Sequence, residues 1–301
     1  MLEGLIAVTG STGFVGKALV AALIERGNSV RALVRQIERA EPINRPEVQL
    51  EVGDLSDVAS LERLVTGCKA VVHLAAVADS SNATLNHEVN VTGSRNLVRA
   101  CKAAGISRVI NVSSTCAGRE KRDCYGQTKL EAEQEFTQDH LVTTHLRPTM
   151  IYGHGSKEFD LFAKLVAHLP RLPVPGSGSS LLRPVYLEDF LDLVLRVLDA
   201  ELPPNQTFDV AGPETIRVDE FIEILGRVQG KRARVVKLPA GPTLMGVRLL
   251  GRLQRHPFVN VDQVLAFLQD TCVDIQPARN QLSWDPRPLE EGLSELFGRT
   301  S

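Results

Sequence analysis

Three glycines at positions 10, 13 and 16 leave the backbone bare where a phosphate could rest. They follow Leu5-Ile6-Ala7-Val8, an apolar run of the length and type of a buried parallel strand. Beyond them, Phe14, Val15, Leu19 and Val20 change to helical spacing. Strand, glycine turn and helix is the context in which a dinucleotide pyrophosphate sits on a helix N-terminus. Gly10 permits a turn with positive φ, Gly13 lets backbone approach the phosphates, and Gly16 lets the helix pack closely. A P-loop does not fit. It would need glycine at 11 and Ser or Thr at 18, where the chain has Ser11 and Ala18.

Arg35 ends a second strand, Ser29–Val34. At that place an acid would bind the 2′-hydroxyl of NAD, whereas an arginine accommodates the 2′-phosphate of NADP. Arg35 therefore favours NADP, with Arg39 or Ser11 as assistants, and leaves NAD open. Asp54 follows a third strand, Val48–Val52; it either accepts from an adenine amino group or caps the helix beginning near Val58. Tyr125 and Lys129, four residues apart, share one face of a helix.

The elements that must position these residues alternate. A fourth strand over Lys69–Leu74 leads into the small-residue corner after His73, and His73 itself reads as a packed strand residue. A long helix over Leu85–Ala104 holds Asn90 and Gly93 and stops at Gly105. Val109–Val112 and Val142–Leu146 complete six strands. The fold class is thus α/β, a doubly wound parallel sheet (a Rossmann fold) with a smaller C-terminal α/β substrate lobe. Residues 1–152 form the dinucleotide domain, completed by parts of 181–213 and 255–275; residues 153–301 are mainly the lobe. Pro170–Ser180 reads as irregular chain over the ligand. Strands are expected at Thr207–Val210 and Arg234–Val236, and helices at Glu188–Leu198, Val218–Val228, around 242–254 and 260–270, and from Leu289. Gly241–Phe258 mixes apolar and arginine positions. It lines the substrate lobe in the favoured reading, with docking on a membrane or partner as the alternative.

The 301 residues suffice for a large core, and a net charge of −2 without a basic tract excludes nucleic acid as the natural partner. Five scattered cysteines without a C-x-x-C pair suit free thiols in a reducing cytoplasm. Cys116 and Cys124 flank the expected site and are read as packed thiols. Seven histidines show no metal-ligand clustering, so no metal is expected. The first strand begins too early for a signal peptide, and no apolar run spans a bilayer.

The chain resembles the extended short-chain dehydrogenase/reductase superfamily, in its NAD(P)-dependent epimerase/dehydratase group. The resemblance rests on Thr9-Gly10-x-x-Gly13-Phe14-x-Gly16, Gly53-Asp54-Leu55, His73-Leu74-Ala75-Ala76, Asn90-Val-Thr-Gly93, Ser113-Ser114-Thr115, Tyr125-x-x-x-Lys129 and Arg147-Pro148, in the family's order. Later stretches, Arg183–Asp189 and Ala211–Glu214, resemble its further landmarks, and the C-terminal half is similar to the branch related to an accessory subunit of respiratory complex I.

The resemblance implies roles. Tyr125 would be the general acid/base, and Lys129 would hold the nicotinamide ribose and lower the tyrosine pKa. Thr115, with Ser114 beside it, would hydrogen-bond the reacting oxygen. The cofactor would lie against Gly10, Ser11, Thr12, Gly13, Phe14, Val15 and Gly16. Arg35, Asp54 and Leu55 would meet its adenosine half. Leu74, Ala75, Ala76, Asn90, Val112, Tyr125, Lys129, Arg147 and Pro148 would meet the rest. Arg183 would either clamp a phosphate or carboxylate of the substrate or form a structural ion pair.

Cys116-Ala117 replaces the acid pair of the sugar dehydratases, so water elimination lacks its acid and base. Thr149-Met150 stands where nucleotide-sugar binders carry asparagine. The implied activity is hydride transfer at a carbonyl/alcohol centre of a sugar-like or other small substrate. One alternative is a sugar or nucleotide-sugar epimerase with retained NAD; another is a non-catalytic NADPH-binding structural or sensory protein. Resembling proteins commonly form homodimers through the helices carrying Asn90 and Tyr125.

Overall fold

A computed structural model describes residues 2–78, 82–137, 141–239, 241–246 and 269–298. They fall into two compact units: 1–149 with 187–210 and 274–285, and 150–186 with 211–273 and 286–301.

The first unit is built on a seven-stranded sheet. Its strands are β1 (Leu5–Thr9), β2 (Ser29–Val34), β3 (Val48–Val52), β4 (Ala70–His73), β5 (Arg108–Val112), β6 (Val142–Pro148) and a seventh, Gln206–Val210. Every pairing is parallel, in the spatial order β3-β2-β1-β4-β5-β6 and then Gln206–Val210. This is the expected doubly wound sheet, and its order reverses between β1 and β4. Ligands of such sheets bind at that reversal, beyond the carboxyl ends of the strands. The glycines follow β1 and therefore stand there.

Strand alternation divides the core. Ala7 packs with Leu61 and Leu64 of α2 (Val58–Val65), Leu97 of α4 (Gly93–Ala103) and Phe136, which follows α5 (Cys124–Glu135). Ile6 and Val8 point to the other face, where α1 (Phe14–Glu25) packs against the helix Leu187–Asp199.

The expected helix over Leu85–Ala104 is composite. It runs as α3 (Ala83–Asn86), a π-helical turn over His87–Thr92, and α4. Gly93 sits where the two continue; a Cβ there would lie 2.7 Å from Leu55 Cβ. The helix Gln276–Leu282 was not foreseen. Beyond it Trp284, only 1 % exposed, donates its indole N–H to the Asp189 carbonyl at 2.9 Å.

In the second unit, Ile151–Tyr152 pairs in parallel with Val185–Tyr186, and Leu181–Leu182 pairs antiparallel with Ile216–Arg217. Arg171–Pro175 pairs in parallel with Arg234–Leu238. This corrects the irregular reading of Pro170–Ser180. Pro170 and Gly176 bond to the partner strand through their carbonyl and N–H. Parallel strands bond through alternate residues, so Pro173 and Pro175 turn their missing donors away from the partner. Leu172 and Val174 meanwhile face a core with Phe159, Phe221, Ile222 and Leu293. Helices Lys157–His168, Val218–Val228 and Leu289–Gly298 surround it. Residues 241–246 are helical. The remainder of the Gly241–Phe258 segment, the helix expected around 260–270 up to residue 268, and the 255–268 part of the expected domain completion lie outside the described residues.

Trp284→Ala should destabilise the protein by about 3–5 kcal/mol, as a large buried aromatic leaves a cavity and an unpaired carbonyl. Urea unfolding checks it; a loss within about 1 kcal/mol would remove Trp284 from the core's main supports.

Candidate active site

The glycine turn is tighter than its spacing alone requires. Gly10 has φ +70°, the left-handed region that glycine enters without strain. A Cβ on Gly10 would stand 2.7 Å from the Ala75 nitrogen, so the turn lies directly against the corner after β4. A Cβ on Gly16 would stand 2.1 Å from the Gly10 carbonyl oxygen. Gly16 thus permits the helix to fold onto the turn itself, more than onto the strand. Gly13 has ordinary extended backbone and donates its own N–H to Gly10 O at 3.0 Å. No side chain caps α1 and its first turn carries no acid. The amides of Phe14, Val15 and Gly16 are left for an anion. A cradle that one methyl group would fill, at an uncapped helix start, fits a dinucleotide pyrophosphate. Thr12, Phe14 and Val15 are half-buried around it. Ser11 is fully buried and its hydroxyl donates to Leu33 O at 2.9 Å, so its side chain does not reach a phosphate and any help comes from its backbone.

Arg35 is exposed at the end of β2. Asp54 Oδ1 accepts from Ser56 N, Ser56 Oγ and Asp57 N. These bonds, the Ser56 hydroxyl foremost, hold Asp54 below the usual carboxylate range, with the charge of Arg35 helping. The cap of α2 is Asp57, which accepts from Ser60 N, so Asp54 is not the cap. Leu55 is a core residue packed on Gly93, and its carbonyl accepts from Asn96; its side chain belongs to packing. Leu74 and Ala75 are half-buried and Ala76 exposed.

Beyond β4 and β5 the site is held by a buried polar chain. Thr9 Oγ1 accepts from Ala75 N at 3.3 Å, which leaves its proton for His73 Nδ1 at 2.7 Å. His73 Nε2–H then faces Ser94 Oγ at 3.3 Å, and Ser94 donates to Asn90 O at 2.6 Å. Only neutral imidazole satisfies this order. Burial, with Lys129 adding to it, lowers the His73 pKa to about 3. Asn90 lies on the π-helical turn. Its side chain accepts from Val77 N and donates to Val77 O and to Thr128 Oγ1, and Thr128 donates to the Tyr125 carbonyl. Asn90 thereby fastens the corner after β4 to the helix that bears the tyrosine.

That helix, α5, is capped by Asp123, whose Oδ1 accepts from Gly126 N at 2.7 Å. Gly126 lets it settle on the 3₁₀ turn Thr115–Gly118, since a Cβ there would be 2.6 Å from Cys116 O. Ser114 Oγ accepts from Cys116 N at 3.2 Å, and the same hydroxyl acts to lower the pKa of the Tyr125 phenol. Thr115 instead faces the Pro148 carbonyl at 3.4 Å. Of these two hydroxyls, that of Ser114 acts on the phenol. Burial pushes the Tyr125 pKa up to about 12; Cys116 and Asp123 add to the rise, and Ser114 opposes it. Lys129 has no part in this shift, so the lowering expected of it does not appear. Lys129, 3 % exposed, donates from Nζ to Val112 O at 2.7 Å, and burial brings its pKa down to about 8 against the pull of Glu133.

Arg147 forms a two-pronged ion pair with Glu133, at 2.9 and 2.6 Å. It ties β6 to α5 and does not present a free guanidinium to a cofactor. Pro148 is buried. Glu133 escaped the sequence reading, although its place four residues past Lys129 was the available signal. In the second unit, Arg183 donates to the carbonyls of Gly212, Val273 and Pro213, at 2.7, 2.6 and 3.2 Å. Cys116 and Cys124 are half-buried, and Asn86 Nδ2 donates to Cys124 Sγ at 3.7 Å. Among the described residues no group of His, Cys, Asp and Glu is placed to hold a metal, and no helix is long and apolar enough to cross a membrane.

Residues 6–211 match the NAD dependent epimerase/dehydratase family. The chain is 34 % identical over 302 residues to a ceramide reductase of Caulobacter vibrioides, covering 98 % of this chain and 91 % of that protein. It is 28 % identical over 319 residues to a UDP-glucose 4-epimerase of Vibrio cholerae, covering 96 % and 93 %. Its fold is similar to a UDP-glucuronic acid 4-epimerase from Bacillus cereus solved with UDP-glucuronic acid and NAD, at TM-score 0.77, 20 % identity and 98 % coverage of each chain. The chain belongs to the NAD dependent epimerase/dehydratase family and is an NAD(P)-dependent enzyme of the oxidoreductase and epimerase kind.

The depressed Lys129 pKa makes a stability prediction. The folded protein binds fewer protons than the unfolded chain between pH 8 and 10.5, so this group's charge penalty is relieved as pH rises through that window. Relative to Lys129→Met, wild type should gain about 2 kcal/mol from about pH 7 to about pH 9.5 in urea unfolding. A pH-independent difference would contradict the burial of a charged lysine.

Proposed function

We propose that this protein is an NADP-dependent reductase acting on a ketone or aldehyde, with Tyr125 as general acid/base. The observation that carries the reading is the grouping of Tyr125, Ser114 and Lys129 at the ends of β5 and α5. This group stands two strands from the glycine cradle, about 10 Å at ordinary strand spacing. That separation suits a dinucleotide laid across the carboxyl ends of the strands.

The nicotinamide, when bound, supplies the hydride and, in its oxidised form, a positive charge. In reduction Tyr125 gives its proton to the forming alkoxide, and Ser114 donates to the same oxygen or to the phenolate left behind. A phenol near pKa 12 is a competent donor to a strongly basic alkoxide. Lys129, which donates to Val112 O here, would hold the ribose hydroxyls and would stabilise the phenolate. Thr115 borders the substrate oxygen.

Arg35 supports NADP, as this exposed residue follows β2, where a 2′-phosphate would lie. Lipid-like ketones enter the substrate class through the 34 % identical ceramide reductase. The three carbonyls held by Arg183 weaken the case for a phosphate clamp, and Cys116-Ala117 offers no acid pair for dehydration. The similarity to UDP-glucose 4-epimerase favours a second reading, epimerisation of a sugar derivative with retained NAD. Mass spectrometry of the purified protein separates the two, since an epimerase would carry NAD and isomerise its substrate without net turnover.

A screen of ceramide-like ketones, aldehydes and sugar nucleotides, read by absorbance of reduced nicotinamide, tests the main reading. Tyr125→Phe should lower turnover by about 10²–10⁴-fold with dinucleotide affinity within about threefold of wild type. Equal turnover in the two proteins would remove Tyr125 from the chemistry. Arg35→Ser should cut the preference for NADPH over NADH by about tenfold or more; an unchanged preference would assign the 2′-phosphate to other residues.

A further inference from the structure

We propose that Glu133, pinned by Arg147, is the positioning residue that keeps the Lys129 ammonium charged inside the protein. The inference rests on the role given to Lys129 above and deepens it.

Tyr125, Lys129 and Glu133 follow one another at four-residue steps and so share one face of α5. Lys129 and Glu133 are both buried, and a buried ammonium is strongly disfavoured without an anion nearby. Glu133 supplies that anion. Burial is the largest single influence and acts to protonate it, but the hydrogen bonds and the charge of Arg147, with smaller contributions from neighbouring groups, together hold it below the usual carboxylate range. Both carboxylate oxygens are fixed by the guanidinium fork, so the charge stands in one place.

The other groups facing Lys129 do not substitute. His73 on β4 is held neutral at about 3 and His145 on β6 at about 4, chiefly by burial. Tyr125 is neutral on the same helix. Arg147 on β6 is a cation, and Asp209, paired in register with Arg147 on the last strand, acts on that arginine. Among the described residues, Glu133 is the anion that acts on Lys129. The ion pair of Arg147 and Glu133 thus does more than join β6 to α5: it sets the pH above which the site loses its cation.

The test is an NMR titration of isotopically labelled lysine in the full chain, with the Lys129 signal assigned by its loss in Lys129→Met. In Glu133→Gln the Lys129 pKa should fall by about one pH unit, a roughly tenfold loss of protonated lysine at a given alkaline pH. Glu133→Asp, which keeps the charge, should restore most of that fall. If Glu133→Gln does not fold, the same fall is read in Glu133→Gln/Arg147→Gln, where an amide pair replaces the ion pair. A Lys129 pKa unchanged in either neutral variant, or a fall equally large in Glu133→Asp, overturns the proposal. The titration needs no substrate, so an inactive wild type would defeat the proposed activity while leaving this result readable. Where turnover is measurable, the alkaline limb of its pH profile should move with the lysine, which a merely structural loss would not do.

Discussion

The contact on which the structure depends is the one between Gly16 and the carbonyl oxygen of Gly10. A single methyl group at position 16 would intrude to 2.1 Å, a separation that neither backbone could tolerate. Its absence lets α1 begin directly over the turn from β1, with its first amides uncapped at the reversal of strand order. The neighbouring corner after β4 also presses on Gly10, where a Cβ would stand 2.7 Å from the Ala75 nitrogen. The cradle is therefore a product of two backbones in contact, and side chains play little part in it.

A parallel sheet is buried on both faces, so polar groups inside it must satisfy one another. Here many do so in runs that end at the site, while Asn111 Oδ1 and Ser113 Oγ, on and just past β5, are buried without a partner. Thr9, His73, Ser94, Asn90 and Thr128 relay hydrogen bonds from the end of β1 to the carbonyl of Tyr125. Val112 O and the Arg147–Glu133 pair hold the lysine side of α5. The chemistry-bearing helix is thus fixed at both ends of its functional face. The π-helical turn has a structural reason in this arrangement, since it carries Asn90, whose amide joins the corner after β4 to α5.

Much of the frame could be read from residue types. The strands Ser29–Val34 and Val48–Val52 and the helix Val218–Val228 were legible to the residue, because short apolar runs bounded by turn residues leave little choice. The helix Gln276–Leu282 was not legible: it is short, polar and held by tertiary burial of Ala278 and Leu282. The strand Arg171–Pro175 was hidden by prolines that alternate onto its free edge. At the site, spacing identified Tyr125 and Lys129 as one face but could not give the sign of a pKa shift. That sign follows from burial, which is a property of the whole fold and outweighs the local hydroxyl of Ser114. Spacing also could not decide between the adjacent hydroxyls of Ser114 and Thr115, whose directions depend on how the chain turns after β5. Arg147 and Arg183 show the same limit. An arginine beside a site reads as a ligand clamp, and only the fold reveals the carboxylate or carbonyls already in its grasp.

The most direct measurement is a calorimetric titration of NADPH into the wild-type protein and into Gly16→Ala. The account predicts saturable binding to the wild type and a loss of about a hundredfold or more in affinity in the variant, since the added methyl displaces the amides that meet the pyrophosphate. Equal affinity in the two proteins would mean that the dinucleotide is held elsewhere, and the placement of the reacting groups around the turn would fall with it.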